Sequence, residues 1–419
     1  GYEASDEEYF RARSIDMRDI RDRVLRALAP DTYEAPPRGA ILLGEDLAPT
    51  HFLATDWSGG GGIALTAGSA ASHVAMLARS RGVPMVVGIG VCEAVGGMAA
   101  LLDAEHGAVL LRAEAETLAA FRRSGEDFAR RRNEAQNFLR LPAATADGAR
   151  VAVRVNVADP SDVDSIDIAT CDGVGLMRTE FLFGAVLPDE ERQYAAYAKV
   201  LQWAEGKSVT IRTVDAGGDK PVPGFTVSET NPFLGLRGIR LSLARPDVFR
   251  VQIRALLRAA VHGQLKVMLP MVGVHDEVAR ARLLVAEEAA GLSAAGIAHA
   301  IPPLGIMVEV PAPAITPELF ADAAFFSIGS NDLTQYVMAA ARDNASVASL
   351  GRADNPAVLR LIASVAAFGR ERGIPVSLCG DAGGDPASIP ALLAAGLRDL
   401  SVAPAQLAVA KATIASVKL

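Results

Sequence analysis

The sequence predicts an α/β protein whose larger part is a (β/α)8 barrel, preceded by a small α/β domain. Three observations carry the prediction. Beyond residue 148, apolar strand candidates alternate with helical stretches over roughly 270 residues, close to the size of about 250 usual for such a barrel. Most of these strands end in Arg, Asp, Glu, Asn or Cys, which a core would not choose. Half of the 419 residues are hydrophobic but only 5% are aromatic, which suits helices packed closely on a sheet. A doubly wound open sheet shares the alternation, and periodicity alone does not report closure.

Taken in order, DEEYFRARSIDMRDIRDRVLRALA (5–28) reads as a charged amphipathic helix that stops near Pro30, a remnant over 1–32 of something larger. A small domain over 33–113 follows, with strand candidates GAILLG, VPMVVGI and GAVLLRA around the Gly-rich stretch SGGGGIALTAGSAASH. AETLAAFRRSGEDFARRRNEAQNFLR (115–140) is polar on most faces, as a helix bridging two domains would be, and 114–146 is read as a linker. The barrel occupies 147–419, with strands in VAVRVNV, GVGLMRTEFLF, VTIRTVDAG, KVMLPMV, GIMVEVPA, AFFSIGSNDL, PVSLCGD and LRDLSVAP.

The formal charge of −8 gives no global basic field for nucleic acid. No run of about 18 apolar residues argues for a membrane span, and GYEASDEEYFRAR is unlike a secretory signal. Cys92, Cys171 and Cys379 form no CxxC pair, so a zinc site or disulfide framework is not suggested. A reduced, cytoplasmic setting is the default.

In a parallel barrel the C-terminal strand ends meet on one face. There the sequence would gather Arg178-Thr179-Glu180, Arg212 with Asp215, Glu309, Asn331-Asp332 and Cys379-Gly380-Asp381. Arg178, Arg212, Arg237 and Arg342 offer planar forks for phosphate and carboxylate. Glu309 and Asp332 supply hard oxygens for a divalent cation, and magnesium favours one or two carboxylates plus substrate phosphate oxygens. The implied substrate is small, anionic and phosphorylated. His73 follows a Gly/Ser/Ala-rich turn and opens the helical segment VAMLARSRG, where free N–H groups and the helix dipole favour an anion. A histidine there is able to carry a phosphoryl group, and a satisfied structural histidine is the other reading. His51, His106, His262, His275 and His299 lack that setting and are read as structural.

The strings GVGLMRTEFLF, GGDKP, NPFLGLRGIR, MVEVPA, FFSIGSNDLTQY and SLCGD occur in an order that resembles enzyme I of the bacterial phosphoenolpyruvate-dependent sugar phosphotransferase system, the phosphoenolpyruvate-protein phosphotransferases. The resemblance runs essentially from end to end. It implies a barrel of the phosphoenolpyruvate/pyruvate-binding type and a small swivelling phosphohistidine domain. His73 is then the phospho-accepting residue, and Arg178, Arg212, Arg237, Asn331, Asp332 and Arg342 bind phosphoenolpyruvate. Glu309 and Asp332 hold Mg2+, and Cys379 delivers a proton to the enolate carbon. The implied partners are the phosphocarrier HPr and a second copy of the chain, joined through the barrel. Ala71 and Ser69 depart from the family's Gly-Gly-x-Thr-Ser-His, Asp381 replaces a more usual Glu, and Ala341 a common Asp. The family's HPr-docking bundle is expected upstream of Gly1, so the chain reads as a fragment. Half of a pyruvate phosphate dikinase or phosphoenolpyruvate synthase is the alternative; those enzymes commonly follow RTE with His, where this chain has Phe181.

Overall fold

The computed structural model of the chain describes residues 36–67, 73–104, 107–184, 186–218, 221–341, 344, 347 and 350–419. The expected remnant helix over 1–32 lies outside the described residues. The chain divides into two compact units, residues 1–128 with 341–348 and residues 129–340 with 349–419.

The first unit is built on three parallel strands, β1 (Ile41–Gly44), β2 (Gly62–Leu65) and β3 (Met85–Val86), with β2 in the middle. A two-stranded antiparallel ribbon, β4 (Ala100–Asp103) with β5 (Ala108–Leu111), completes its described strands. Helices Pro49–Ala54 and His73–Arg81 cross between the parallel strands, and Phe52, Val74 and Ala78 from them pack on Ile63 and Leu65. The sequence pattern concealed β2, the central strand, inside a glycine-rich run that reads as loop. Those glycines serve close packing: a Cβ on Gly62 would lie 2.3 Å from Leu102 Cδ2 and 2.8 Å from the Pro84 carbonyl oxygen. β4 escaped the pattern as well. The expected polar helix forms over Ala115–Ala135, exposed along most of its length with Ala135 its one buried residue.

In the second unit eight strands close into a parallel barrel. In order around it they are β6 (Ala152–Val157), β7 (Val174–Met177), β8 (Val209–Arg212), β9 (Leu265–Leu269), β10 (Leu304–Val308), β11 (Phe326–Ile328), β12 (Val376–Leu378) and β13 (Asp399–Val402), which pairs back onto β6. Sequence order equals spatial order, as right-handed strand–helix–strand crossovers require. The register shifts twice, between β6 and β7 and between β7 and β8.

The barrel interior is packed but not uniformly apolar. At its N-terminal end Arg154 Nε donates to both carboxylate oxygens of Asp399 (2.9 and 3.0 Å), and the Lys266 ammonium sits 5.4 Å from the Phe325 ring centroid. Burial pushes the Asp399 carboxyl up, and Arg154 opposes that shift. Above lies a layer of Leu176, Met268, Met307, Phe325 and Cys379. The chain entering the barrel is pinned by Lys411 of the last helix, whose Nζ donates to the carbonyls of Leu139 (2.7 Å) and Leu141 (2.9 Å). Among the described residues no helix is long and apolar enough to cross a membrane.

The register at β7 depends on Gly175, where a Cβ would come 2.4 Å from Ser401 Cβ. Gly175→Ala should therefore destabilise the barrel by about 1–3 kcal/mol, read as a lower urea midpoint at unchanged slope. Gly184→Ala, with nothing within 4 Å of the added Cβ, should stay within about 0.5 kcal/mol. Equal effects would refute the packing argument.

Candidate active site at the C-terminal rim of the barrel

Parallel closure places the last residue of each strand on a common rim. Arg212 ends β8, Glu309 directly follows β10, and Cys379 directly follows β12. Asn331 and Asp332 lie in the first turn of the helix Ser330–Met338 that leaves β11. Arg178 follows β7, ahead of the short 3-10 turn Glu180–Leu182. Arg212, Glu309, Asp332 and Cys379 are thus brought onto one face by four different strands.

Two arginines hold the carboxylates there. Arg237 is fully buried and makes five hydrogen bonds. Nε and Nη2 donate to Asp215 (3.0 and 2.9 Å), Nη1 and Nη2 to Asp332 (3.0 and 3.2 Å), and Nη1 to the Tyr336 hydroxyl (3.4 Å). Five is the whole donor inventory of a guanidinium. Arg237 is therefore a strap between two carboxylates, with no N–H left over for a ligand. Arg212 reaches Glu180 (3.0 Å) and Asp215 (3.2 Å), with its Nη1 3.6 Å from the Met307 sulfur. Its Nε is buried without a hydrogen-bond partner among the described residues, an unspent donor. Burial opposes both charges, yet the carboxylates outweigh it: Glu180 and Asp215 for Arg212, Asp215 and Asp332 for Arg237, holding both firmly protonated.

Glu309 is buried and accepts the backbone N–H of Met271 (2.7 Å). Met271 holds that position from a left-handed φ of 57°, uncommon for a residue with a Cβ. Burial first, then the charges of Asp332 and Asp215, push the Glu309 carboxyl up to about 8. Among the described residues no three His, Cys, Asp or Glu side chains form a complete metal cage. Two carboxylates with the remaining positions open to phosphate and water is the donor set that suits magnesium.

Cys379 is 2% exposed, and burial pushes its thiol up to about 11 against the pull of a hydrogen bond from Ser327 (3.3 Å). The thiol is therefore protonated at neutral pH. Its carbonyl accepts Asn156 Nδ2 (3.1 Å), and Asn156 is fixed by the Ser401 hydroxyl (2.7 Å). Asn331 and Asp381 bond reciprocally, Nδ2 to Oδ2 (3.1 Å) and Oδ1 from the Asp381 N–H (3.0 Å), which ties the β11 and β12 loops. Arg178 is half-buried, its guanidinium has no hydrogen bond or ion pair to another described residue, and its charge is felt at Cys379. Arg342 lies outside the described residues. His73 belongs to the first unit, where it is the first residue of the helix His73–Arg81; residues 68–72 before it lie outside the described residues.

Sequence reasoning assigned no role to Asp215, Glu180 or Tyr336, although the first two stand at strand ends. It missed the layer behind them altogether. Gln252 accepts the Val214 N–H (3.0 Å) and donates to the hydroxyls of Tyr197 (3.0 Å) and Thr179 (3.4 Å). Tyr197 in turn donates to Gln193 (3.0 Å), and Thr179 to the Arg212 carbonyl (3.0 Å). All four side chains are fully buried, so the loops after β7 and β8 are locked to the helices behind them. In sequence, a glutamine in PDVFRVQIRALLRA carries no such signal.

Comparison with known proteins follows the same division. Residues 132–419 match the family model "PEP-utilising enzyme, PEP-binding domain", and residues 36–107 match "PEP-utilising enzyme, mobile domain". The chain is 39% identical to the phosphoenolpyruvate-protein phosphotransferase of Geobacillus stearothermophilus over 99% of its length and 73% of the relative's. The Bacillus subtilis protein of the same description is 37% identical over 99% of this chain and 74% of its own.

Removing the strap should be costly. Arg237→Met removes the guanidinium that bridges the buried Asp215 and Asp332 and should lower stability by about 3–5 kcal/mol in urea unfolding. Arg237→Lys should recover only part, because one ammonium cannot fork onto two carboxylates. A loss under about 1 kcal/mol for the methionine variant would mean the clamp is not what holds the rim.

Proposed function

The chain belongs to the PEP-utilising enzymes, within the phosphoenolpyruvate-protein phosphotransferase family, and from that premise we propose that its barrel rim binds phosphoenolpyruvate, that His73 takes the phosphoryl group, and that a carrier protein of the HPr type receives it next. One observation carries the reading: Arg212, Glu309, Asp332 and Cys379, far apart in sequence, stand on a single rim. In this scheme residues 33–113 are the phosphohistidine domain, 114–146 the connecting arm and 147–419 the substrate-binding barrel. The setting is the cytoplasm, and the functional unit a dimer through the barrel.

Arg178, with its uncommitted guanidinium, and Arg212, with its free Nε, bind the phosphate and carboxylate of the substrate; Asn331 and Arg342 complete that set. Arg237 acts one step back from the ligand, holding Asp332 and Asp215 in place. Glu309 and Asp332 would hold Mg2+, which when bound neutralises substrate phosphate and the charge that develops on the leaving oxygen. The raised Glu309 carboxyl and the two-carboxylate donor set support that fit. Neutral His73 attacks phosphorus in line; the P–O bond to the enol oxygen breaks and its electron pair leaves with the enolate. Little covalent work falls to the protein, so positioning and charge stabilisation dominate. Cys379 then gives the methylene carbon a proton, for which a thiol kept neutral by burial is suited.

With radiolabelled phosphoenolpyruvate, His73→Ala should take up no acid-labile phosphate, while Cys379→Ala should be labelled yet form pyruvate at least about tenfold more slowly. Labelling of the His73 variant, or full-rate pyruvate from the Cys379 variant, would remove that residue from the scheme. Chelation of divalent cations should abolish labelling of the unaltered chain.

A further inference from the structure

A ligand with two anionic ends needs its two grips at a set distance. Arg178 follows β7 and Arg212 ends β8, so each is placed by its own strand end. One buried amide spans both. Gln252, in the helix Pro246–Ala259 behind the rim, accepts the Val214 N–H through Oε1 (3.0 Å), two residues after Arg212. Through Nε2 it donates to the Thr179 hydroxyl (3.4 Å), one residue after Arg178, and to the Tyr197 hydroxyl (3.0 Å). Thr179 donates in turn to the Arg212 carbonyl (3.0 Å), and Tyr197 to Gln193 Oε1 (3.0 Å), whose amide donates to the Pro188 carbonyl (3.2 Å). The hydrogen bonds therefore run outward from Gln252, and both N–H bonds of its amide are used. Gln252, Thr179, Tyr197 and Gln193 are fully buried and uncharged, burial having pushed the Tyr197 phenol up. A network without charge contributes geometry. The same helix is also held from outside, where Arg254 donates to Glu190 (2.8 Å) of the helix Glu190–Trp203 and to Glu288 (2.9 Å).

Resting on the reading of Arg178 and Arg212 as phosphoenolpyruvate ligands, we propose that Gln252 is a positioning residue that sets the spacing of these two arginines. The chain thereby selects an anion that carries a phosphate and a carboxylate at the separation found in phosphoenolpyruvate. That ligand is planar about its double bond, so its two charged groups cannot follow guanidiniums that drift apart. An anion with one charged group needs no such spacing. Glu180 ties the same two segments, its Oε1 accepting Arg212 Nη2 and the Asp215 N–H (both 3.0 Å), so loss of Gln252 loosens the spacing without dismantling the rim. The two ends of the substrate are gripped before the phosphoryl group moves and while it moves. Loss of the spacing therefore falls on binding and not on the rate at saturation.

Single-turnover labelling with radiolabelled phosphoenolpyruvate and Mg2+, followed over a range of concentrations, gives a half-saturation concentration and a limiting rate. Gln252→Met, close in shape but without hydrogen bonds, should raise half-saturation about tenfold and keep the limiting rate within about threefold. Inorganic phosphate, added as a competitor, should lose less than about twofold in apparent affinity for that variant. Thr179→Val should reproduce the pattern, and Thr179→Ser, which keeps the hydroxyl, should stay within about twofold of the unaltered half-saturation. Gln252→Met should add nothing further in a Thr179→Val background. Arg254→Met, which loosens the same helix from outside, should lower the urea midpoint and leave half-saturation unchanged. Equal losses for phosphoenolpyruvate and phosphate would overturn the inference, and so would a shift with Arg254→Met as large as that with Gln252→Met; either makes Gln252 structural only. Unchanged half-saturation in both Gln252→Met and Thr179→Val would overturn it as well. If Arg178→Met and Arg212→Met were labelled with the half-saturation of the unaltered chain, the reading on which the inference rests would fall instead.

Discussion

The rim depends on one buried ionic contact, the guanidinium of Arg237 forked between Asp215 and Asp332. It joins three segments: the loop after β8, the turn before the helix Ile239–Ala244, and the helix that follows β11. Two carboxylates buried so closely would otherwise take up a proton or separate. Buried charges are expensive, and a pair of this kind adds little net stability against apolar residues of similar size. What it gives is placement. With Arg237 spent on both partners, Asp332 stays aimed, and the rim presents oxygens at fixed positions instead of a mobile acidic patch.

That commitment gathers acids on the rim. Glu180, Asp215, Glu309 and Asp332 stand there with Arg212 and Arg237. Glu309, the member with no guanidinium hydrogen-bonded to it among the described residues, absorbs the strain, and its carboxyl rises to about 8. In the proposed scheme the oxygens of Glu309 and Asp332 are where a divalent cation would sit. Arg178, outside this cluster, keeps its charge for an anion.

Much of this was legible in the chain because strand ends are conspicuous when they are polar. VTIRTVDAG announces both a buried strand and the place where it stops being core, and Arg212 is the last residue of β8. The eight strands were found in order for the same reason. Their lengths were not: AFFSIGSNDL reads as one strand, yet the strand is Phe326–Ile328 and a helix starts at Ser330, because Asn331 and Asp332 serve the rim only from a helical first turn. The direction of Arg237 was also hidden. A guanidinium beside two glycines looks like a ligand for substrate, and only the fold shows that Asp215 and Asp332, 22 and 95 positions away, take all it has to give. Gln252 and Ser327 left no trace for a similar reason, since a buried polar residue inside an apolar pattern shows its purpose only through its partners.

Burial has two opposite uses at the same rim. Around Cys379 the neighbours are Leu176, Met268, Met307 and Phe325, and desolvation keeps the thiol neutral, a stored proton at physiological pH. Asp332 and Asp215 are buried too, but guanidiniums stand within hydrogen-bond reach of their oxygens. The difference lies in what each strand end delivers: β12 brings the thiol over the apolar interior layer, while the loops after β8 and β11 bring the carboxylates onto Arg237. Pushing the proton affinities of neighbouring groups apart is how one pocket offers both an acid and a set of anions. A closed parallel barrel suits this because adjacent strand ends differ in depth and surroundings while remaining rigidly spaced. Opening the barrel or slipping one strand by a residue would turn the thiol or the carboxylate outward, and the two environments would merge into one wet surface with ordinary proton affinities.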